Sequence, residues 1–149
     1  MASARGSAPS RSGFTLLELL LAVTILAMIA AIAVPMFGNS IRKASEGSTK
    51  GKLSSIRRAL AVYYAEREGV YPADLGPLMA PGNKWLKGNV QMYTHSHGNS
   101  SSVNIYTSFD AVADGPAYGY VNIEGDSNWG KLWVQCTHLD MRGTAWSSY

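Results

Sequence analysis

The chain of 149 residues contains one cysteine, Cys136, so no disulfide can form within it. Charged residues are also scarce, at 15%, and 13 Lys and Arg against 10 Asp and Glu leave a net charge of +3. Removal of Arg5 and Arg11 would leave 11 basic against 10 acidic residues, a net charge of +1. So small an excess argues against a nucleic-acid-binding surface as the main role.

Sequence signatures of enzymes are missing as well. No Ser/His/Asp arrangement, glycine-rich phosphate loop or paired-carboxylate motif stands out in the sequence. We therefore expect a protein that is not an enzyme and that needs no cofactor. The feature that does stand out is a long apolar run near the amino terminus.

This run covers residues 14–34, and only Thr15, Glu18 and Thr24 within it are polar. As a helix it would be roughly 31 Å long, which is close to the thickness of the hydrocarbon core of a bilayer. The run therefore predicts a transmembrane helix. An ordinary signal anchor or an uncleaved signal peptide would satisfy the same pattern.

The carboxylate of Glu18 is unusual in such a segment. A charge at mid-bilayer costs about 2.5–3.5 kcal/mol, and less near an end, so it usually has a partner or a function. It could be tolerated in the headgroup layer, but no basic residue within 14–34 offers it a partner. A new amino terminus, created by a cut just before Phe14, would supply the missing positive charge.

The stretch GFTLLE at 13–18, preceded by a short basic leader, resembles the cleavage and methylation motif of type IV prepilins and type II secretion pseudopilins. This resemblance implies that residues 1–13 are a cytosolic leader. A prepilin peptidase would cut between Gly13 and Phe14 and methylate the amine of Phe14. Glu18 would then pair with the Phe14 amine of a neighbouring subunit, and Pro35 would be the helix-bending proline of the family.

The resemblance also implies an orientation and a set of partners. The basic residues after the apolar run would by themselves favour a cytoplasmic carboxyl-terminal side. The family instead implies a single-pass protein of the bacterial inner membrane with its head in the periplasm. Its partners would be membrane lipid, the inner-membrane assembly platform, copies of itself and other pilins or pseudopilins, with no nucleic acid.

Beyond the membrane half, apolar residues at helical spacing predict that the helix continues as an amphipathic half to about Glu68, where Gly69 ends it. We expect a helical domain over 14–70 and a globular head over 71–149. The head should be β-rich, giving an α+β fold with a small antiparallel sheet packed on the helix. The basic residues of the amphipathic half could be solvated or could contact neighbouring subunits or headgroups. They are Lys50, Lys52, Arg57 and Arg58.

Within the head, residues 72–102 are predicted to form a loop with one short helical turn at 74–78. Alternating patterns predict strands at 103–107, 118–123, 132–138 and 144–148, joined as an antiparallel meander. Large aromatic side chains should fill the core between sheet and helix. They are Tyr118, Tyr120, Trp129, Trp133 and Trp146.

Metal ligation receives little support from the sequence. His95 and His97 are two residues apart, and His138 and Asp140 could join them, but no spacing rule links the four. A calcium site at Glu124, Asp126 and Asn128 is a weak candidate, because the turn is short and does not match an EF-hand. Cys136 is expected to be buried and unreactive.

The sequence thus predicts a structural filament subunit. It leaves open two kinds of filament, the pseudopilus of a type II secretion system and a surface type IV pilus. The small head and the missing disulfide slightly favour the pseudopilus, whereas the lack of a clear calcium motif favours the pilus. A signal-anchored periplasmic enzyme or binding module is the alternative of a different class.

Overall fold

The structure is a computed structural model that describes residues 13–109 and 113–149. Of the predicted leader, only Gly13 falls within these residues; Arg5 and Arg11 lie outside them. The predicted α+β architecture, a long amino-terminal helix and a small β-rich head, is confirmed. The elements are helices α1 (Leu16–Glu66) and α2 (Gly76–Met79), strands β1 (Met92–Thr94), β2 (Gly98–Ser100), β3 (Ser102–Tyr106), β4 (Ala117–Val121) and β5 (Leu132–Gln135), and a 3-10 helix (Trp146–Ser148).

The chain divides into two units, of which the first ends at Asn39 and the second comprises Ser40–Tyr149. The described part of the first unit is mostly the apolar portion of α1. Pro35 lies inside the helix, which continues beyond it, as expected for a proline that removes only one backbone hydrogen bond.

In the second unit the remainder of α1 packs against the head. Leu53, Ile56 and Leu60 are buried at helical spacing, which confirms the predicted apolar face. The face extends further towards the amino terminus than predicted, because Glu46 and Thr49 are buried too. Thr49 is accommodated by hydrogen bonds between its hydroxyl and the backbone of Tyr93 at 2.8 and 2.9 Å.

Helix α1 ends close to the predicted position. Glu68 and Gly69 have positive φ angles of 56° and 92°, and the amide of Gly69 donates to the carbonyl of Tyr64 at 3.0 Å. This left-handed turn reverses the chain and satisfies a carbonyl that the helix leaves free.

The head contains two sheets. Strands β1 and β2 form an antiparallel hairpin, and β3, β4 and β5 form a second sheet in that order. Strands β4 and β5 are antiparallel, but β3 and β4 are parallel, so the predicted simple meander is wrong. Ten residues, 107–116, separate β3 from β4, which is enough chain to return to the starting end of the sheet.

Two local predictions also need correction. Residues 72–102 contain α2, which confirms the short helical turn, but they also contain the β1–β2 hairpin that was predicted as loop. Residues 144–148 do not form a strand. Ala145 makes an isolated bridge with Leu139, and the chain then turns into the 3-10 helix that buries Trp146.

The predicted aromatic core is largely confirmed. Tyr118, Tyr120, Trp133 and Trp146 are buried, whereas Trp129 is half-buried. Burial raises the pKa of Tyr118 to about 12, and its hydroxyl donates to the carbonyl of Val90 at 3.0 Å. These contacts hold the sheet, the long helix and the intervening loop around one core.

Candidate functional site

The apolar portion of α1 exposes its large side chains on every face. Its 18-residue apolar window has none of its residues buried, and it is long and apolar enough to cross a membrane by length and composition. Single exposed leucines are common on soluble proteins, but a continuous apolar cylinder requires lipid or other protein around it. The exposed residues include Leu16, Leu17, Leu19, Leu20, Leu21, Val23, Ile25, Leu26, Met28, Ile29, Ile32 and Val34.

Glu18 has a local role that the sequence analysis missed. Thr15 precedes the helix, and its hydroxyl oxygen accepts a hydrogen bond from the amide of Glu18 at 3.2 Å. A threonine followed three residues later by glutamate is the capping-box pattern, which could have been found from the sequence. A carboxylate in the first turn also interacts favourably with the positive end of the helix dipole.

The other predicted residues of this segment lie as follows. Gly13 and Phe14 precede the helix, and the Phe14 ring is 75% exposed. Thr24 donates its hydroxyl to the carbonyl of Leu21 at 2.7 Å, so this polar group is satisfied inside the helix. Glu18 is the one charged residue of the described segment 16–39.

A second polar feature lies within the head unit. Lys50 on α1 donates to the carboxylate of Asp140, and also to the hydroxyl of Tyr149 at 2.6 Å. Glu46, one turn earlier, accepts from Arg42 at 3.1 Å and from the amide of Met141 at 3.0 Å. We call these contacts the polar clasp; they attach the carboxyl-terminal loop 139–144 to α1.

The clasp is electrostatically strong. Burial disfavours the charge of Asp140, but hydrogen bonds from Lys50, Tyr149 and the amides of Arg142 and Thr144 outweigh it and hold the carboxyl pKa well below its usual range. Burial likewise opposes the charge of Lys50, yet the hydrogen bonds to Asp140 and Tyr149 raise its pKa overall. Both groups are therefore charged at neutral pH.

The basic residues of the amphipathic half are mostly committed to the chain's own head. Besides Lys50, Lys52 donates to the carbonyl of Gln91, and Arg57 donates twice to the carbonyl of Leu132 at 2.6 and 3.0 Å. Arg58 instead contacts Ser55 on the same helix at 3.2 Å. Arg57 and Arg58 are exposed, and Lys50 and Lys52 are half-buried, so the set is only partly solvated. Contact of these residues with neighbouring subunits or headgroups stays a prediction.

Comparisons with known proteins bear on the exposed helix. The family model described as the prokaryotic N-terminal methylation motif matches residues 9–34. The type IV narrow pilus major component PilA5 of Thermus thermophilus is 26% identical over 66% of this chain and 71% of its own length. The fimbrial protein EcpC of Eikenella corrodens is 24% identical over 85% of this chain and 82% of its own. These matches support membership of the type IV pilin family.

The type IV major fimbrial protein FimA of Dichelobacter nodosus is also similar, with 27% identity over 76% of this chain and 61% of its own length. No solved structure matches the chain significantly. The exposed apolar helix with Glu18 at its start is the candidate functional site, because its continuous apolar surface requires lipid or other protein around it.

Elsewhere in the chain, side chains from three segments of the head converge. His97 Nε2 and His138 Nδ1 lie 3.2 and 3.4 Å from the carboxylate oxygens of Asp114, and Cys136 Sγ lies 3.7 Å from His138 Nδ1. We call these four residues the histidine cluster. The sequence analysis had grouped His95 and Asp140 with the histidines, but His95 faces Tyr93 and Asp140 belongs to the polar clasp.

The electrostatics of the cluster differ between its members. A hydrogen bond from the Thr137 amide at 2.9 Å, followed by His97 and His138, holds the pKa of Asp114 at about 2. Burial raises the pKa of the Cys136 thiol. The free thiol is thus buried, as predicted, and is not activated as a nucleophile.

The calcium candidates form a compact turn. Asp126 accepts a hydrogen bond from the amide of Asn128 at 2.6 Å, and its carbonyl accepts from Trp129 at 3.0 Å. Glu124 is exposed beside this turn. These hydrogen bonds explain the turn residues by local backbone geometry, so calcium binding at Glu124, Asp126 and Asn128 stays a prediction.

Proposed function

We propose that the chain is a structural subunit of a type IV pilus or related pseudopilus, cut between Gly13 and Phe14, methylated at Phe14 and assembled through the apolar part of α1. The single observation that carries the proposal is the continuous exposure of that helix, with one carboxylate at its capped start. Prepilin peptidase and the inner-membrane assembly platform are the partners it requires.

Assembly has a clear physical basis. Before assembly, lipid covers the apolar helix; in a filament, helices of other subunits would cover it, so that no apolar surface meets water. An unpaired Glu18 carboxylate inside such a bundle would be strongly unfavourable. The Phe14 amine created by cleavage on a neighbouring subunit could neutralise it, and only one register of the two helices would bring the charges together.

The similar proteins favour a pilus over a secretion pseudopilus. PilA5, EcpC and FimA are named as pilus or fimbrial components. We give these names more weight than the absent disulfide, which by itself favoured a pseudopilin. We therefore propose a surface pilus as the filament. A membrane-anchored enzyme or binding module remains the alternative class; it would need neither cleavage at Gly13 nor the charge of Glu18.

Variants at the start of α1 test the assembly step. They also distinguish two possible roles of Glu18, as a charge and as part of the helix cap. Glu18→Val removes both the charge and the capping-box side chain, Glu18→Gln removes the charge but keeps a side chain that can complete the box, and Thr15→Ala removes the cap but keeps the charge. We expect both Glu18 variants to be processed yet to form no filaments, whereas Thr15→Ala should assemble. Filament yield after shearing and mass spectrometry of membranes give the two readouts.

Two results would contradict this assignment. Normal filaments from Glu18→Gln would show that the carboxylate acts as a helix cap and not as a charge. A mature chain that does not begin at Phe14 would overturn processing and support the simple anchored protein. The location of the methylated tryptic peptide that begins at Phe14 then distinguishes the two kinds of filament. Abundance of this peptide in sheared surface material indicates a pilus, and its restriction to membranes indicates a pseudopilus.

A further inference from the structure

The histidine cluster brings four potential metal ligands of different chemistry into one small volume. Each of His97, Asp114, Cys136 and His138 offers a ligand atom, and these atoms all lie within 4.8 Å of one another. The residues come from three separate segments: the β1–β2 turn, the segment before β4 and the segment after β5. Their proximity therefore arises from the fold and not from local sequence.

Three of the separations are close to the edges of a tetrahedral coordination sphere. With metal–nitrogen distances of about 2.05 Å and a metal–sulfur distance of about 2.3 Å, neighbouring nitrogen or oxygen ligands would lie about 3.3 Å apart, and nitrogen and sulfur about 3.6 Å apart. His97 Nε2 lies 3.2 Å from one carboxylate oxygen of Asp114, His138 Nδ1 lies 3.4 Å from the other oxygen, and Cys136 Sγ lies 3.7 Å from His138 Nδ1. All four ligand atoms lie within 4.8 Å of one another, so adjustment of the side chains would bring the wider pairs to ligand distance.

Hydrogen bonds satisfy the carboxylate of Asp114 but leave one nitrogen of His138 facing two groups. A neutral imidazole has one N–H and one acceptor nitrogen, and each can serve one partner well. His138 Nδ1 faces both the carboxylate of Asp114 and the thiol of Cys136. One nitrogen directed at a carboxylate and a thiol at once is the arrangement in which a shared cation would satisfy all three groups.

We propose that His97, Asp114, Cys136 and His138 form a structural zinc site in the head. The mixture of one sulfur, two imidazole nitrogens and one carboxylate oxygen suits Zn²⁺, and the thiol disfavours Ca²⁺ and Mg²⁺, which select oxygen ligands. The side chains of His97, Asp114 and His138 are 20%, 36% and 48% exposed, so an ion can enter from solvent. Cys136 would close the inner side of the site.

Such a site would supply a cross-link that the sequence cannot make with a disulfide, because Cys136 is the sole cysteine. Strands β1 and β2 contain three residues each and form a sheet of their own. An isolated two-stranded hairpin is marginally stable at best. A zinc ion bound by His97 would tie the turn of this hairpin to the segments that flank β4 and β5, and its binding energy would stabilise the folded head.

Metal binding by the detergent-solubilised full chain tests the site. The chain is stripped with a chelator, equilibrated with Zn²⁺ and analysed for bound zinc by plasma mass spectrometry. Unfolding is followed with and without the metal. Wild type should bind about one zinc per chain and melt at a higher temperature when loaded. His97→Ala and His138→Ala should each weaken binding by more than the about 10–100-fold that changes in outer-shell residues cost.

His95→Ala is the matched control, because His95 lies two residues from His97 but outside the cluster. It should bind zinc as wild type does. All three variants alter exposed or half-exposed side chains, so they should still fold in chelator. Co²⁺ in place of zinc should give a tetrahedral spectrum with a thiolate charge-transfer band, which Cys136→Ser abolishes. Equal zinc content in wild type and the His97→Ala/His138→Ala double variant, or a cobalt spectrum without that band, would overturn the proposal.

Discussion

The ammonium of Lys50 on the long helix forms an ion pair with the carboxylate of Asp140, 90 residues further along the chain. The Asp140 side chain is fully buried, and Tyr149 donates a further hydrogen bond to the same carboxylate oxygen at 2.7 Å. The other oxygen accepts from the amides of Arg142 and Thr144 at 2.8 and 2.9 Å. One carboxylate thus both shapes the carboxyl-terminal loop and attaches it to α1.

Replacement of this carboxylate should destabilise the head. Asp140→Asn keeps an oxygen for the loop amides but removes the charge that Lys50 faces. We expect a loss of about 1.5–3 kcal/mol in the free energy of unfolding, the range for hydrogen bonds to charged groups. Asp126→Asn is a matched control, because Asp126 also closes a turn through a backbone amide but has no ion pair among the described residues. Equal losses from both substitutions, measured by denaturant unfolding, would assign the effect to turn geometry.

The ion pair also predicts how stability depends on pH. The pKa of Asp140 is lower in the folded chain than in the unfolded chain, so its contribution is fully present above the ordinary value of about 3.9 and is lost as pH falls through the folded pKa. Wild type should therefore lose stability below about pH 4 more steeply than Asp140→Asn. The pKa values of Asp114 and Glu66 are lowered too, so the difference between the two proteins isolates Asp140.

Thermal unfolding of both proteins between about pH 2 and pH 7 measures this difference. It should be largest near neutral pH and should shrink on acidification. A stability difference that stays constant across the acid range would contradict the assignment of a charged Asp140 in the folded state.

Gly119 provides a prediction about the sheet. It lies in the buried strand β4 directly opposite Trp133 on β5, and a Cβ atom there would collide with the indole ring. Because Trp133 is fully buried, the ring has little room to move away. We expect Gly119→Ala to cost about 1–3 kcal/mol or more, as overpacking of a core does.

Gly115→Ala is the control for this substitution. Gly115 lies just before the same strand, has open space where a Cβ would be and does not have a positive φ angle. Its replacement should leave the midpoint of denaturant unfolding unchanged or slightly raised. A Gly119→Ala/Trp133→Leu double variant should recover part of the loss, and similar midpoints for Gly119→Ala and Gly115→Ala would contradict the proposed collision.

Features that depend on local interactions were predicted from the sequence more accurately than features that depend on contacts between distant residues. The long helix, its end at Gly69 and the strands near 103–107, 118–123 and 132–138 depend on local periodicity and turn residues, and they were predicted to within a few residues. The parallel pairing of β3 with β4 depends on the end of the sheet at which the chain enters β4, which no local pattern encodes.

The clasp and the histidine cluster show the same limit. Cys136 and His138 are two residues apart in the strand predicted over 132–138, so the sequence could have placed them on one face. His97 and Asp114 reach them only through the hairpin turn and the entry to β4. Lys50 was interpreted from its position on an amphipathic helix, and its partner Asp140 could not be identified before the loop 139–144 was placed.

The cleavage step gives the last prediction. Gly13 has open space around it and precedes the capped helix. Under the proposed function it borders the scissile bond, beside which a bulky side chain should not fit. Gly13→Leu should therefore leave the chain uncleaved, with Phe14 internal and unmethylated. The matched control is Gly38→Leu, which adds the same side chain at another position with open space, far from the cut.

Intact mass measurement of membrane-extracted protein separates the outcomes. Wild type and Gly38→Leu should begin at Phe14 and carry one methyl group, whereas Gly13→Leu should retain residues 1–13. Because Glu18 would then have no amine of Phe14 to pair with, Gly13→Leu should also yield no filaments. A mature chain beginning at Phe14 in Gly13→Leu would contradict the requirement for glycine. Filaments built from uncleaved chains would contradict the pairing of Glu18 with the new amino terminus.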